Sequence, residues 1–440
     1  MKISIFWHRR DLRLHDNVGL HHALQGENPV LPLFIFDKTI LDKLEDEDDR
    51  RVTFIHKHIQ KIQEQLREIG SSLVVRYGTP LEVWKQLLDE FEVAEVFTNH
   101  DYEPYAKERD GQIKSLLDDK GIGFHTYKDH CLREAGEVLK DDGDPYVVFT
   151  PFSKKWLKTS PGNIYSDYET KPYFDNFRKT EALPLISLEE MGFKQHENLD
   201  FPSPDFSKET IQNYADNRNF PAKENGTTRI SVHLRFGTIS VREAARKTHE
   251  VSSTFVNELI WRDFYMTILA HFPHVAERSF RKEYDFIRWR NDESEFMAWC
   301  EGKTGFPIVD AGMRQLNETG YMHNRVRMIV SSFLTKHLLM DWRWGESYFA
   351  RQLLDFELSS NNGGWQWAAG SGTDAAPYFR IFNPTSQIKK FDPDHKYIKK
   401  WVPEYTDFNY VKPIVDHKVG RERALKVYKE SLAYGKEQIG

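Results

Sequence analysis

The chain has 440 residues, of which 39% are hydrophobic and 14% aromatic, so it is long enough for two or three domains and too apolar for a disordered protein. Two cysteines exclude a disulfide framework and a zinc site with cysteine spacing, and neither a signal peptide nor a membrane-length apolar stretch is evident, so we expect a cytoplasmic protein without membrane or metal. The net charge of −6 divides into −10 over residues 1–200 and +4 over residues 201–440, which permits a nucleic-acid partner without proving one.

Residues 1–130 alternate short apolar runs with helical patterns, which predicts an α/β domain with a doubly wound parallel sheet of the Rossmann-like kind. The predicted strands are Ile3–Trp7, Val30–Phe36, Leu73–Tyr77, Ala94–Thr98 and Gly123–Tyr127. The predicted helices are Arg51–Ile69, Pro80–Phe91 and Tyr105–Lys120. The usual glycine-rich dinucleotide and phosphate loops are missing from the sequence, so a nucleotide would not be bound here in the common dinucleotide manner.

Residues 131–200 are irregular and rich in Asp, Gly, Pro and Lys, which predicts a long linker between two domains. Helical periodicity dominates from about residue 205, and residues 201–440 are therefore predicted to form an all-α domain. The predicted helices there are Ser240–His249, Thr254–His271, Pro307–Glu318, His323–Leu339 and Tyr348–Leu354. Eight of the 11 tryptophans lie beyond residue 260, which is typical of an aromatic-rich helical core.

Polar residues of the helical half cluster in a few segments. The segment 214–240 combines hydroxyls and backbone donors with arginine before a helix, which is a suitable cradle for an anion, although each piece alone is also typical of a capped loop. Helical spacing places Glu258, Trp261, Arg262 and Tyr265 on one face, either as a binding surface or as an exposed ion-pair face.

Two further segments carry unusual patterns. One is Met322-His-Asn-Arg-Val-Arg-Met328, and the other runs from Asp355 through paired asparagines, paired glycines and two tryptophans to Trp367, continuing to Pro384. Glycines permit close backbone approach, so the second segment predicts contact with something flat or bulky.

With these segments and the opening Trp7-His-Arg-Arg-Asp-Leu-Arg-Leu-His-Asp-Asn17, the whole chain resembles the photolyase/cryptochrome family, closest to its class I cyclobutane pyrimidine dimer photolyases. The resemblance implies an N-terminal antenna-chromophore domain over residues 1–130, a linker over 131–200 and a helical catalytic domain over 201–440 that binds FAD in a folded conformation. It implies cofactor contacts from Tyr214, Thr227, Thr228, Arg229, Ile230, Ser231, Arg262, Arg327, Asp355, Glu357 and Asn361.

Within that set, the resemblance gives some residues particular roles. Tyr214 and 227–231 match phosphate-binding positions, and Arg327 with Asp355 matches a buried ion pair beside the flavin ring. Asn361 matches the side chain that faces flavin N5, where plant signalling cryptochromes carry aspartate. Glu357 departs from the aspartate that the family usually has there.

The resemblance also implies a pocket for damaged DNA. Glu258 would hydrogen-bond a pyrimidine carbonyl of the flipped lesion, Trp261 would offer a π face and Met328 a soft apolar contact. Members that repair (6-4) photoproducts have histidines at the positions of Asn324 and Met328, so cyclobutane dimers are the expected lesion. The expected DNA-binding residues are Arg218, Glu258, Trp261, Asn324, Arg325 and Gln387.

Light-related residues complete the expectation. Trp365, Trp342 and Trp289 match an electron-transfer chain from the surface to the flavin, and with Glu258, Met328 and Asn361 they form the expected catalytic set. The expected antenna residues are Arg51, Asp101, Glu103 and Tyr105. Because Ala106 stands where folate-binding members usually have glutamate, deazaflavin or FMN is favoured over folate as second chromophore, and a site without a chromophore is the remaining alternative.

The implied function is light-driven repair of cyclobutane pyrimidine dimers by electron transfer from reduced FAD, catalysed by a deoxyribodipyrimidine photolyase. UV-damaged DNA is the expected partner, and the protein is expected to be a monomer without an obligate protein partner. The main alternative is a cryptochrome-type blue-light receptor without repair activity, against which Glu258, Met328, Asn361 and the lack of a C-terminal extension argue. A plain flavin oxidoreductase is a third alternative, but dehydrogenase motifs are missing.

Overall fold

The computed structural model describes residues 2–159, 164–197 and 201–439. A five-stranded parallel sheet with strand order β3-β2-β1-β4-β5 forms the centre of its first half. The strands are β1 (Ile3–His8), β2 (Val30–Asp37), β3 (Val74–Gly78), β4 (Val93–Asn99) and β5 (Gly123–Tyr127). All five predicted strands are confirmed within one residue at each end.

The helices of residues 18–158 are α1 (Val18–Leu24), α2 (Lys38–Leu41), α3 (Arg50–Glu68), α4 (Pro80–Glu90), α5 (Pro104–Asp118) and α6 (Phe149–Lys158). The next are α7 (Lys208–Gln212), α8 (Tyr214–Asn217), α9 (Ser231–Phe236), α10 (Val241–Thr248), α11 (Ser253–His271), α12 (Glu293–Cys300) and α13 (Pro307–Thr319). The last are α14 (Asn324–Ser332), α15 (Trp342–Gln352), α16 (Leu358–Ala369), α17 (Pro384–Phe391), α18 (Lys396–Trp401) and α19 (His417–Ile439). Single 3₁₀ turns occur at Lys171–Asn176, Glu189–Met191, Glu224–Gly226, Pro273–Ala276 and Lys282–Phe286.

The apolar runs of the sequence explain the sheet. Every residue of β1 and β2 is buried, as is typical of central parallel strands with helices on both faces. On one side of the sheet, Trp7 of β1 packs edge-on against Trp84 of α4, with ring centroids 5.6 Å apart. The predicted α/β architecture of the first half is thereby confirmed.

The chain divides into two compact units whose bounds differ from the predicted domains. The first unit contains Met1–Glu134, Thr159–Pro204 and Ile230–Glu250, and the second contains Ala135–Lys158, Asp205–Arg229 and Val251–Gly440. Residues 131–200 are thus shared between the units instead of forming one linker, and residues 230–250 leave the predicted helical domain for the first unit.

Side-chain bonding explains why these later segments join the first unit. Arg242 of α10 bonds to Asp16 at 3.0 Å and to Asp129 at 2.8 Å, and all three side chains are buried. The hydroxyl of Thr170 donates to the carbonyl of Leu14 at 2.6 Å. Sequence periodicity carries no information about such long-range pairs.

The secondary structure of the second unit is helical, and its core is aromatic. Trp299, Trp342 and Trp365 are all buried there at 2% exposure or less. The predicted helix over 323–339 exists as α14 followed by a π-helical turn, Phe333–His337, a feature often found at functional sites. Among the described residues, the helices are all too short or too polar to cross a membrane.

Candidate functional site

Helix α11 carries the face that the spacing predicted. Ser252 begins the helix by accepting a hydrogen bond from the backbone N–H of Phe255, and most apolar residues of α11 are buried. Glu258, Trp261 and Tyr265 remain half-buried on the other side, so they are available to a ligand at the surface of the second unit.

Trp261 has an aromatic partner that the sequence analysis missed. Phe149 of α6 stacks on its indole with centroids 3.6 Å apart and an interplanar angle of 3°. Trp156 of the same helix donates its indole N–H to Asp263 at 2.9 Å, which attaches α6 to α11. One face of Trp261 is therefore covered by the protein itself. The spacing of Phe149, Phe152 and Trp156 was the available signal, but it lay in the segment interpreted as a linker.

Three of the predicted DNA-binding residues belong to one cluster. Arg218, which follows α8, bonds through both terminal nitrogens to the two carboxylate oxygens of Glu258, one of them at 2.8 Å. The Arg218 guanidinium also lies over the ring of Tyr214 at 5.5 Å. Arg325 of α14 donates to the side-chain oxygen of Asn219 at 2.7 Å. These contacts place a carboxylate beside surplus positive charge.

The other predicted lesion and DNA residues lie on two helices. Asn324 is exposed at the first position of α14, and Met328 is half-buried one turn further along that helix. Gln387 is half-buried on α17. Their contact with DNA remains a prediction.

Arg327 and Asp355 form the ion pair that the resemblance implied. Arg327 donates to both carboxylate oxygens, at 3.0 and 2.8 Å, and to the backbone carbonyl of Met322 at 2.8 Å. The Asp355 side chain is only 2% exposed, so the pair is held rigidly. Nearby in sequence, Glu357 accepts from Arg262 at 3.3 Å, which gives the unexpected glutamate a partner on α11.

Asn361 of α16 has a defined amide orientation. Its nitrogen donates to the backbone carbonyl of Glu346 at 3.2 Å and to the carboxyl of the same residue at 2.8 Å. Both contacts require the NH₂ group, so the amide oxygen of Asn361 is left to accept. Burial raises the pKa of Glu346 although its hydrogen bond with Asn361 opposes this change. Glu346 was missed because it lies on a different helix, α15.

The proposed phosphate segment is split by the unit boundary. Tyr214, Thr228 and Arg229 lie in the second unit, with Thr228 buried and its carbonyl accepting from Asp205 at 2.9 Å. Arg229 has a φ of 53°, a conformation that non-glycine residues rarely adopt and that is often found at functional sites. Thr227 precedes it in extended backbone, whereas Ile230 and Ser231 begin α9 in the first unit.

These groups fit the FAD that the resemblance implies. An amide oxygen free to accept suits a protonated flavin nitrogen, and a rigid arginine–aspartate pair suits the polar edge of the ring. The predicted close approach to something flat is confirmed at Gly363. A Cβ there would lie 2.2 Å from the Tyr265 ring, so the flat partner of Gly363 is a protein side chain.

The three tryptophans of the predicted electron chain belong to the second unit. Trp342 and Trp365 are buried, and no other residue that the structure describes accepts from their indole nitrogens, while Trp289 is half-buried. Trp365 has Trp299 as a ring neighbour at 6.0 Å, and Trp289 packs edge-on against Tyr428 at 5.8 Å. Electron flow through these rings remains a prediction.

A buried lysine stands beside this aromatic group. Lys336 is 1% exposed, donates to the carbonyl of Ala369 at 2.7 Å and lies 3.8 Å above the Tyr428 ring. Burial lowers its pKa well below the usual range. Ala369 ends α16, so the lysine satisfies a carbonyl at the negative end of the helix that carries Asn361 and Trp365.

The predicted antenna residues in the first unit are engaged by their neighbours. Asp101 and Glu103 both accept from Arg10, at 3.2 and 3.1 Å. Tyr105 donates to Asp37 at 2.6 Å, at the end of β2, and Arg51 bonds to Asp49. Arg10 and Asp101 also line a small surface recess together with Asn99 and His130.

Comparison with known proteins covers both halves. Residues 4–172 match the family model for DNA photolyase, and residues 255–409 match the one for the FAD binding domain of DNA photolyase. The chain is 37% identical to the deoxyribodipyrimidine photo-lyase of Halobacterium salinarum, covering 98% of this chain and 99% of the relative. It is 36% identical to the Escherichia coli protein of the same name, covering 99% and 100%.

Solved photolyase and cryptochrome structures are similar to this chain over nearly its whole length. A class III photolyase of Agrobacterium tumefaciens superposes with a TM-score of 0.83 at 32% identity, covering 98% of both chains. The photolyase of Sulfolobus tokodaii, solved with two FAD molecules, gives a TM-score of 0.78 at 35% identity, covering 97% of this chain and 99% of that one. A Synechocystis cryptochrome gives 0.83 at 25% identity, covering 97% and 99%.

Proposed function

We propose that this chain, which belongs to the DNA photolyase family, is a deoxyribodipyrimidine photolyase that repairs cyclobutane pyrimidine dimers in DNA under light. The observation that carries this proposal is the half-buried face of α11, where Trp261 lies one turn from Glu258 and Glu258 pairs with the guanidinium of Arg218. A carboxylate and an indole suit a pyrimidine base turned out of the duplex, and arginine suits the phosphates beside it.

FAD is the cofactor of this domain, and when bound it supplies the electron that opens the cyclobutane ring. Asn361 would accept from the flavin N5–H, and Arg327 with Asp355 would hold the polar edge of the ring. Tyr214, Arg262, Glu357 and residues 227–231 complete the proposed contacts. The hydrogen bonds between Arg327 and Asp355 orient these two side chains before the cofactor binds.

The lesion would be held by Glu258, Trp261, Asn324 and Met328. In its protonated form, the Glu258 carboxyl can donate to a pyrimidine carbonyl and stabilise the negative charge that develops during ring opening. Asn324 and Met328 supply neither the proton donor nor the base that histidines would provide at these positions. We therefore assign cyclobutane dimers, and not (6-4) photoproducts, as the substrate.

Electrons would reach oxidised FAD by a separate path through Trp289, Trp342 and Trp365. Trp365 is the proposed flavin-proximal member because it lies one turn from Asn361 on α16.

The remaining assignments are also proposals. A flavin-type second chromophore, deazaflavin or FMN, is favoured over folate, and the two FAD molecules of the Sulfolobus structure are consistent with a flavin in such a role. If Asp101 or Glu103 contacts the second chromophore, its hydrogen bond with Arg10 would have to break. We propose a cytoplasmic monomer that acts without an obligate protein partner.

The test illuminates the chemically reduced protein with oligonucleotides that contain either one cyclobutane thymine dimer or one (6-4) photoproduct. Repair of the first in light, and of neither in darkness, is the expected result. Repair of the (6-4) product would overturn the lesion assignment. Failure to repair either lesion with FAD bound would overturn the enzyme assignment in favour of the light-receptor alternative.

A further inference from the structure

The pair formed by Arg218 and Glu258 joins two groups that the proposed function uses separately. Arg218 is expected to bind a phosphate and Glu258 a pyrimidine. In the protein without DNA, however, the atoms that would bind these groups are hydrogen-bonded to each other. Both guanidinium terminal nitrogens and both carboxylate oxygens take part. The two side chains are 21% and 28% exposed, so water screens the pair only in part.

The surroundings of this pair are strongly cationic. Burial and the nearby Arg218 and Arg380 lower the pKa of Arg325, whereas Glu258 opposes that change. Burial and neighbouring arginines lower the pKa of His323 to about 4, so this imidazole is neutral near pH 7. Glu258 is thus a carboxylate that partly balances Arg218 and Arg325, and its loss would raise the positive charge of this group.

We propose that the ion pair with Glu258 holds Arg218 away from DNA phosphates, and we call this pair the lock. It makes the site discriminate between dimer-containing and undamaged DNA. This inference rests on the proposed function. A phosphate of any DNA can attract Arg218, but moving Arg218 leaves the half-buried carboxylate of Glu258 without a partner, which is costly.

Only a lesion turned into the site satisfies both groups. Each pyrimidine of a thymine dimer has an imide N–H that can donate a hydrogen bond to a carboxylate. In an intact duplex, the imide N–H of each thymine is paired with adenine. The dimer thereby releases Arg218 for the phosphate while it provides Glu258 with a new partner. Undamaged DNA provides the phosphate alone, so specificity arises from an unsatisfied charge in the wrong complex.

The inference predicts different effects of Glu258→Gln on the affinities for undamaged and dimer-containing DNA. In Glu258→Gln the lock is removed, so affinity for undamaged DNA should rise by about five- to tenfold, while affinity for dimer DNA should not rise. In Arg218→Gln affinity for both DNAs should fall. In the double variant with Glu258→Gln and Arg218→Gln, the change at Glu258 should no longer raise affinity for undamaged DNA, because the guanidinium of Arg218 is missing.

The experiment measures fluorescence anisotropy of one double-stranded oligonucleotide with and without a single thymine dimer, in darkness and at fixed salt. Glu404→Gln is the matched control, because it removes a carboxylate from another half-exposed ion pair, with Arg314 at 2.6 Å. FAD absorbance of each purified variant reports whether the helical unit has folded.

The lock is supported if Glu258→Gln raises undamaged-DNA affinity more than Glu404→Gln does, and if the rise disappears in the Arg218→Gln background. It is overturned if the rise is missing, if both glutamine variants give the same rise, or if the rise persists without Arg218. Since binding is measured in darkness, these outcomes are separate from the repair assay, whose failure would contradict the proposed function alone.

Discussion

Each unit of the molecule contains a cluster of arginines and carboxylates, and the two clusters differ in how completely they are paired. In the first unit, Arg13 and Arg242 each bond to Asp129, and Arg242 also bonds to Asp16, with all four side chains at most 5% exposed. In the second unit, the half-buried carboxylate of Glu258 pairs with Arg218, and Arg325 lies near both. Positive charge therefore exceeds negative charge in this cluster.

The completeness of pairing distinguishes charged side chains that stabilise the fold from charged side chains that can bind a ligand. A buried network in which every group has a partner attaches α10 to the ends of the sheet and has no capacity left for a ligand. A half-buried cluster with excess positive charge has that capacity, because an incoming anion completes the pairing. Complete pairing thus identifies a scaffold, and incomplete pairing identifies the proposed DNA site.

The largest expected effect comes from breaking the complete network. Asp129→Ala leaves two buried guanidinium groups without their shared partner, so the free energy of unfolding should fall by about 3–5 kcal/mol. Urea unfolding followed by circular dichroism measures it. A loss below about 1 kcal/mol would show that the network is not structural and would remove one side of the comparison.

Acid should weaken the same network. Burial opposes ionisation of Asp129, but Arg13 and Arg242 outweigh it and lower its pKa to about 2. A lowered folded-state pKa gives stability that is present above the unfolded value near 4 and is lost as pH falls towards 2. The expected loss over that range is about 2–3 kcal/mol, and it should be smaller in Asp129→Asn. Equal acid sensitivity in the variant and the wild type would assign the effect to other groups.

Trp365→Phe tests the aromatic core of the second unit. Phenylalanine is smaller and much harder to oxidise, so unfolding free energy should fall by only about 1–2 kcal/mol while photoreduction of bound FAD is lost. Repair by the chemically reduced variant should remain. Wild-type photoreduction would place the electron path elsewhere, with the neighbouring Trp299 as the next residue to change.

The smallest effect on stability is expected for Arg325→Gln, in the incompletely paired cluster. Removal of one of several mutually repelling guanidinium groups should change the free energy of unfolding by less than about 1 kcal/mol. DNA affinity should nevertheless fall, and the slope of log affinity against log salt should become shallower by about 1. An unchanged salt slope would show that Arg325 does not contact a phosphate.

The central strands β1 and β2 could be predicted because they are continuous apolar runs. The patterns of β4 and of the edge strand β5 are weaker, and their positions between helical segments identified them. Helix α6 was missed because its aromatic face, Phe149 to Trp156, lies in a segment whose composition resembles a linker. Helix α16 was missed because glycines and asparagines weaken its helical pattern, although its residues were recognised as a candidate site.

Individual site residues could be predicted from motifs, but their partners could not. Arg218 and Glu258 are 40 positions apart, and the sequence gives no sign that they bind each other. Glu346 was missed for the same reason, since its importance comes only from the contact with Asn361. Lys336 reads as a surface residue in a helical pattern, and only the packing of α16 and Tyr428 around it shows that it is buried.

The most direct test of the central claim is the repair yield per absorbed photon at Glu258, measured in FAD-bound, chemically reduced protein at saturating dimer DNA. Losing a hydrogen bond to developing charge costs about 2–4 kcal/mol of transition-state stabilisation. The yield should therefore fall in Glu258→Gln and further in Glu258→Ala, while Glu404→Ala keeps the wild-type yield. Wild-type yields in both Glu258 variants would contradict the assignment of this cluster as the repair site.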